Sequence, residues 1–332
     1  MKVGSITTKI CKSDTLKKGL ELAANNGGKF MAGTQLLFAT AVRPLSIATT
    51  PKTDRENKKL ACAKSFASSF VNYLLVLAVS NPIAKNVKKI DKSPETYLKP
   101  ETINAMKEGM KPLAESKSYQ FATQMFKLGS NAMSAVPRAI VTCALIPPIM
   151  TGIQLLNEKF RKKNEPVQNQ KITASVPNAQ VSFKGVNIAK KMGKIIDSPL
   201  IQKMSEKYKD TNFQMHTMAV TDTLTTLTLC HQVNANKKID DDRKKILNNN
   251  SLLSTSLGIL SGYAVDKVTE KPTEKFIKTF SKINKADPKL SKYVEGIKIV
   301  KPTLLYAGVY YTVIPMVSTF LAERLNMKNK NI

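Results

Sequence analysis

The sequence has no tryptophan, only 24 acidic residues against 52 lysines and arginines, and four cysteines that stand far apart. Each shortage excludes something. Cys11, Cys62, Cys143 and Cys230 form no C-x-x-C pair, so neither a disulfide framework nor a cysteine zinc site is expected and the thiols read as reduced. The only histidines, His216 and His231, flank Asp222 at spacings of six and nine residues. Such spacings scatter side chains around a helix instead of setting them in ligand register, so no metal site is expected. There is no G-x-S-x-G, no P-loop, no G-x-G-x-x-G following a strand and no H-E-x-x-H. No catalytic residue is nominated, no cofactor is expected, and the commonest enzyme classes are disfavoured.

The formal net charge of +28 raises the question of nucleic acid as a partner. Lysines run through every connection and form no stripe with interleaved aromatics, which disfavours that partner. Lysine outnumbers arginine 46 to 6, a bias that compositional drift also produces. A chain of 332 residues with 42% hydrophobic content is long enough for a sizeable core and too apolar to be disordered throughout.

The most informative absence is local. Three runs of at least 20 residues, Ser65–Ala84, Ile246–Val265 and Pro302–Ala322, contain no charge at all. Roughly 0.4 such runs are expected by chance at this charge density. Three further windows carry one charge each: Phe30–Pro51 has Arg43, Leu128–Asn157 has Arg138 and Thr211–Asn236 has Asp222. About 20 helical residues cross a hydrocarbon core of about 30 Å, so the windows read as six membrane helices. Segments four and five, rich in hydroxyls and amides, would insert poorly without neighbours. The first 29 residues hold no apolar h-region, so no signal peptide is expected. A soluble all-α protein with long buried helices is the alternative.

The two halves share an order of parts. Asp54-Arg55-Glu56-Asn57-Lys58-Lys59 follows segment one and Asp240-Asp241-Asp242-Arg243-Lys244-Lys245 follows segment four, an offset of 186 that also places Ser65 and Ser68 on Ser251 and Ser254. Pro137 and Pro302 open segments three and six. The expected organisation is a basic amphipathic segment (1–29), a first three-helix half (30–160), a polar linker with short helices (161–212), a second half (213–327) and a tail (328–332). Three spans per half predicts inverted repeats. Assigned to alternate sides, the connections carry 23 and 27 lysines and arginines, a balance that gives no orientation.

Asp222 is the one acid within a predicted span, which makes it a functional candidate, and Arg43 is its candidate partner. Asp222, Arg43, His216 and His231 are expected to line a polar pathway. Pro44, Pro82, Pro147, Pro148 and Pro315 interrupt segments and free carbonyls that a neighbour or a cavity must satisfy. Ser254, Gly258 and Gly262 recur every four residues as a helix-packing stripe. Tyr306 and Tyr310 share a face of segment six, as a cavity lining or an ordinary buried pair would, and the buried pair is the expectation. Phe276, Phe280 and Ile283 form an apolar face rimmed by Lys275, Lys278 and Lys282, suited to an anionic lipid surface. Val181–Gly185 reads as a short extended patch. The expected partner is therefore the lipid bilayer, with passage of a small solute as the most specific function and a membrane-associated scaffold as the other.

Overall fold

The computed structural model of the chain describes residues 3–51, 54–110, 112–161, 187–211, 213–237 and 239–330. Among these residues there are fourteen α-helices and no strand, so the expected all-α class holds. The Val181–Gly185 patch and nearly all of the 161–180 stretch lie outside the described residues.

In chain order the helices are α1 (Val3–Lys12), α2 (Asp14–Asn25), α3 (Gly27–Leu37), α4 (Arg43–Ala48), α5 (Arg55–Lys92), α6 (Pro94–Tyr97) and α7 (Pro100–Met106). They continue as α8 (Lys117–Arg161), α9 (Ile188–Ile196), α10 (Pro199–Tyr208), α11 (Phe213–Ala235), α12 (Asp241–Ile283), α13 (Leu290–Tyr311) and α14 (Val313–Lys330). The starts are chemically marked. Asp54 caps α5 by accepting from the Glu56 and Asn57 amides, and Asp240, its match in the second half, caps α12 by accepting from Arg243. Ser13, Asn26 and Asn187 cap α2, α3 and α9 in the same way.

Side-chain bonds fix the helix directions. Lys58 Nζ reaches the Ala48 carbonyl at 3.0 Å and Asn72 Nδ2 reaches Gln35 Oε1 at 2.9 Å, so α3–α4 and α5 are antiparallel. Tyr119 donates to Asp91 at 2.8 Å and Ser134 to Asn72 at 3.3 Å, so α8 runs back along α5. In the second half, Asn248 on Asn234 joins α12 to α11 and Ser254 on Ser318 joins α12 to α14, so α12 is antiparallel to both. Between the halves, the Phe121 and Phe213 rings meet at 4.8 Å and Asn236 reaches Cys143 Sγ, which makes α8 and α11 parallel neighbours.

The inverted arrangement expected from the span count is therefore not the one observed. Segments one, three, four and six run one way and segments two and five return, so both halves point in the same direction. Residues 162–187 join the end of α8 at one end of the bundle to the start of α9 at the other.

The two ends differ. At the broad end α5, α8, α12 and α13 extend beyond the charge-poor windows and the short helices pack on these extensions. Val87, Ile90, Leu98, Met106, Tyr119, Met192 and Ile196 form one cluster there, and Cys11, Leu20, Phe280, Tyr293 and Ile297 form another. The attachments cross over: α9 and α10 precede the second half yet cover the first, whereas α1 and α2 precede the first half and cover the second. Lys17 donates to Asp287 at 2.9 Å and holds that carboxyl below the usual carboxylate range.

This crossover corrects one expectation. Phe280 is fully buried, and Phe276 and Ile283 pack against the same cluster of α1, α2 and α13 residues while Lys275, Lys278 and Lys282 face outward. The apolar face of this helix is covered by the chain's own N-terminal helices, so it is not free to lie on a lipid surface.

In the charge-poor middle the usual distribution is reversed. Exposed large hydrophobics lie on every segment: Leu37 and Leu45; Phe66, Phe70 and Leu74; Met133, Val136 and Ile140; Val220, Leu224 and Leu227; Leu252 and Leu260; Leu304, Val313, Val317 and Leu321. Buried among the same helices are Asn72, Asn131, Arg138, Gln214, Thr221, Thr225, Asn250, Ser254, Thr303 and Ser318. Two helical runs, Arg55–Lys92 and Leu290–Ala322, are long and apolar enough to cross a membrane.

The close approach of α2 and α13 is testable. A Cβ on Gly296 of α13 would sit 2.2 Å from the Leu20 carbonyl oxygen of α2, a backbone atom that cannot swing away, whereas Gly19 of α2 has open space around its own Cβ position. Gly296→Ala is expected to cost about 1–3 kcal/mol or more through overpacking. Gly19→Ala is expected to be neutral or to stabilise by up to about 1 kcal/mol. Thermal unfolding of the two variants checks both signs.

Candidate functional site

The centre of the bundle is built where two helices are interrupted side by side. In segment one, α3 passes into a π-helical turn over Phe38–Val42 before α4 begins at Arg43. Pro44 supplies the reason, because it has no N–H for the Thr40 carbonyl and its ring opposes the regular turn. The wide turn, in which the Arg43 amide bonds the Phe38 carbonyl, absorbs that conflict. In segment six, α13 stops at Tyr311, Thr312 departs from helical geometry at φ −108° and ψ −76°, and α14 resumes at Val313. Pro315 denies the Tyr311 carbonyl its helical donor, and Ser46 Oγ of α4 donates to that carbonyl at 3.1 Å. The interruption of segment six is thus satisfied by a side chain just beyond that of segment one. Pro82 sits within an unbroken α5, and α8 runs through Pro147 and Pro148, so these do not break their helices.

Asp222 lies on α11 and faces inward. Its Oδ1 is 3.9 Å from Arg138 Nη2, and its Oδ2 accepts a hydrogen bond from the Tyr306 hydroxyl. Arg138 also donates to Thr225 Oγ1, one turn along α11. Tyr306 stacks on Tyr310 with centroids 5.3 Å apart, and the Arg43 guanidinium lies 5.5 Å from the Tyr310 ring and 5.9 Å from that of Tyr311. Asp222 and Arg43 therefore belong to one polar centre, but Arg138 is the ion-pair partner of Asp222 and Arg43 connects to it through the tyrosines.

The two histidines do not join this centre. His216 is exposed, with Nδ1 2.6 Å from the Tyr263 hydroxyl, and His231 is exposed as well. Six residues turn a helix by roughly 240° and nine by roughly 180°, so an inward Asp222 leaves both histidines on outer faces. Among the described residues no three His, Cys, Asp or Glu side chains converge as a metal site would require.

Ser254, Gly258 and Gly262 form the floor beneath the tyrosines. A Cβ on Gly258 would meet Tyr310 at 2.8 Å, and one on Gly262 would meet Met215 at 2.2 Å and Tyr306 at 2.9 Å. Ser254 bonds Ser318 at 2.8 Å. The stripe lets α13 approach α12 closely enough for Tyr306 to reach across to Asp222.

Arg138, Tyr306, Tyr310 and Tyr311 are the members that inspection of the sequence had not placed in a site. Arg138 did carry a signal, being the single charge in its window by the same criterion that selected Asp222 and Arg43. The tyrosines carried none beyond their shared face.

At the broad end, charges that border the windows pair across helices. Lys127 lies 3.3 Å from Glu295, and Lys301 lies 2.7 Å from Asp266. Near the narrow end Lys64, half-buried, donates to Ser251 Oγ at 2.7 Å. Beside it is a cleft of about 410 Å³ lined by Pro44, Ile47, Ala48, Cys62, Arg55, Lys58 and Lys59.

No protein-family model, no curated protein and no solved structure matches this chain.

Asp222→Asn leaves the Arg138 charge buried without its counter-ion, a loss of about 3–5 kcal/mol for pairs of this kind. Tyr306→Phe removes one buried hydrogen bond for about 1–3 kcal/mol. The double variant Arg138→Gln with Asp222→Asn is expected to be more stable than Asp222→Asn alone. A double-mutant cycle on thermal unfolding of the purified protein measures the coupling.

Proposed function

We propose that this chain is a lipid-embedded helical bundle that binds a small polar solute at its centre and conducts it between two faces. The observation that carries the reading is the reversed distribution of polarity in the middle of the bundle. A soluble monomer rarely exposes more than a few hundred Å² of contiguous apolar surface. Here all six segments expose Leu, Val, Phe or Met while amides, hydroxyls and two arginines are buried between them and Asp222 is largely covered. A single protein partner would cover one side, whereas lipid covers a belt.

Solute passage draws its support from the centre itself. Interrupted helices that meet in a membrane bundle are tolerated where they face protein or a cavity, and ion and substrate sites of transporters use them. The π turn before Arg43 and the break at Thr312 are such a pair. Two related three-helix halves are supported by the repeated order of a short helix and two long ones, by the matching Asp54 and Asp240 caps, and by the crossed attachment of α1–α2 and α9–α10.

The helix directions impose a condition. With four segments running one way and two returning, residues 162–187 have to bring the chain back from the narrow face to the broad one. That stretch holds Lys162, Lys163, Glu165, Lys171 and Lys184 and no apolar run. The helix directions also favour a second reading, in which the belt is covered by partner chains instead of lipid.

Washing membranes from expressing cells with carbonate and then high salt separates the two. Retention in the pellet is expected, and release by either wash overturns lipid embedding. The directions have their own test: in a chain with its native cysteines replaced by serine, Glu101→Cys and Lys275→Cys are expected to react with a membrane-impermeant maleimide from the same face. Labelling from opposite faces would show that the halves are inverted after all.

A further inference from the structure

The charge balance of the centre does not close. Arg43 and Arg138 are 3% and 5% exposed, and the single acid of the centre is Asp222. Among the described residues no carboxylate lies within ion-pair distance of Arg43; it lies over the Tyr310 and Tyr311 rings and donates a hydrogen bond to the Tyr310 hydroxyl. The Nε–H groups of both arginines are buried without a hydrogen-bond acceptor. A guanidinium held without its full set of acceptors in an apolar surround is costly, and two of them against one carboxylate leave a net positive charge.

We infer that the Arg43 and Arg138 centre is a binding site for a small oxyanion, a carboxylate or phosphate group, that enters from the narrow end of the bundle. The inference rests on the solute-binding reading above and names the class of solute. Guanidinium groups recognise carboxylate and phosphate oxygens through paired N–H donors, and the Nε–H is one member of such a pair. Arg138 spends Nη2 on Asp222 and Thr225, which leaves its Nε edge for another acceptor.

The route has the same sign. The cleft of about 410 Å³ adjoins Arg43 through Pro44 and Cys62, and Arg55, Lys58 and Lys59 stand on it. Lys64, which donates to the Ser251 hydroxyl, lies further inward, where burial and the nearby Arg43 disfavour its charge. Basic groups on an apolar cleft raise the local concentration of anions.

The test is a titration of the purified full chain in detergent with inorganic phosphate and with acetate at constant ionic strength, chloride serving as the reference anion, read by thermal shift and calorimetry. Saturable binding of phosphate or acetate, with a rise in melting temperature beyond that in chloride, is expected. Arg43→Gln should weaken it at least tenfold, and Arg43→Lys, which keeps the charge, should lose less. Arg55→Gln with Lys58→Gln, on the cleft, should slow association with little change in the melting temperature of the free protein. No saturable shift beyond chloride, or the same affinity in a folded Arg43→Gln, overturns the site. The binding measurement does not depend on membrane retention. A chain released by carbonate that still binds phosphate sinks lipid embedding alone, and a retained chain that binds no oxyanion sinks the site alone.

Discussion

The structure turns on the burial of Asp222 between Arg138 and Tyr306. A charge in the middle of a segment that otherwise faces an apolar surround has to be paired, and the pairing joins α8, α11 and α13, which come from both halves of the chain. The other central features follow from it. Tyr306 reaches Asp222 only because Gly258 and Gly262 let α13 lie close to α12, and Arg43 is held over the second tyrosine of the same stack. Burying a carboxylate and two guanidiniums costs stability that an apolar core would not.

Around that centre the molecule separates its tasks by height. The middle third offers apolar side chains outward and hydrogen-bonding groups inward. The broad end behaves as an ordinary soluble protein would: apolar clusters built on Tyr119, Met192, Phe280 and Tyr293 are buried beneath a lysine-rich surface. Its short helices are exchanged between the halves, so each half is clamped by a segment that belongs to the other. The narrow end has only short turns and the basic cleft.

Much of this was legible in the sequence, and what was not has definite causes. Charge-free runs identify the six middle segments because the absence of charge depends only on the environment of each helix. The proline positions foretold the interruptions at Arg43 and Thr312, since a missing N–H acts locally, but not that Ser46 would satisfy the carbonyl left free at Tyr311. Pairing was beyond reach. Arg43 and Arg138 were equivalent as lone charges in their windows, and only the parallel contact of α8 with α11 decides that Arg138 meets Asp222. The amphipathic pattern at Phe276, Phe280 and Ile283 correctly marked a buried face; what covers it is a segment some 260 residues earlier in the chain, which periodicity cannot reveal. Helix direction failed for a different reason. Counting spans assumes that every connection stays on one face, whereas the two halves point the same way.

The central claim is that the belt faces hydrocarbon while the Asp222 centre does not. Spin labels placed singly at Met133, Leu224, Leu260 and Val317, in a chain reconstituted into vesicles with its native cysteines replaced, test it directly through collisional accessibility. The account predicts high accessibility to oxygen and low accessibility to a water-soluble nickel chelate at all four positions. High accessibility to the chelate at these sites would place the belt in water, and a collapse of both values would place it against protein; either result contradicts the account.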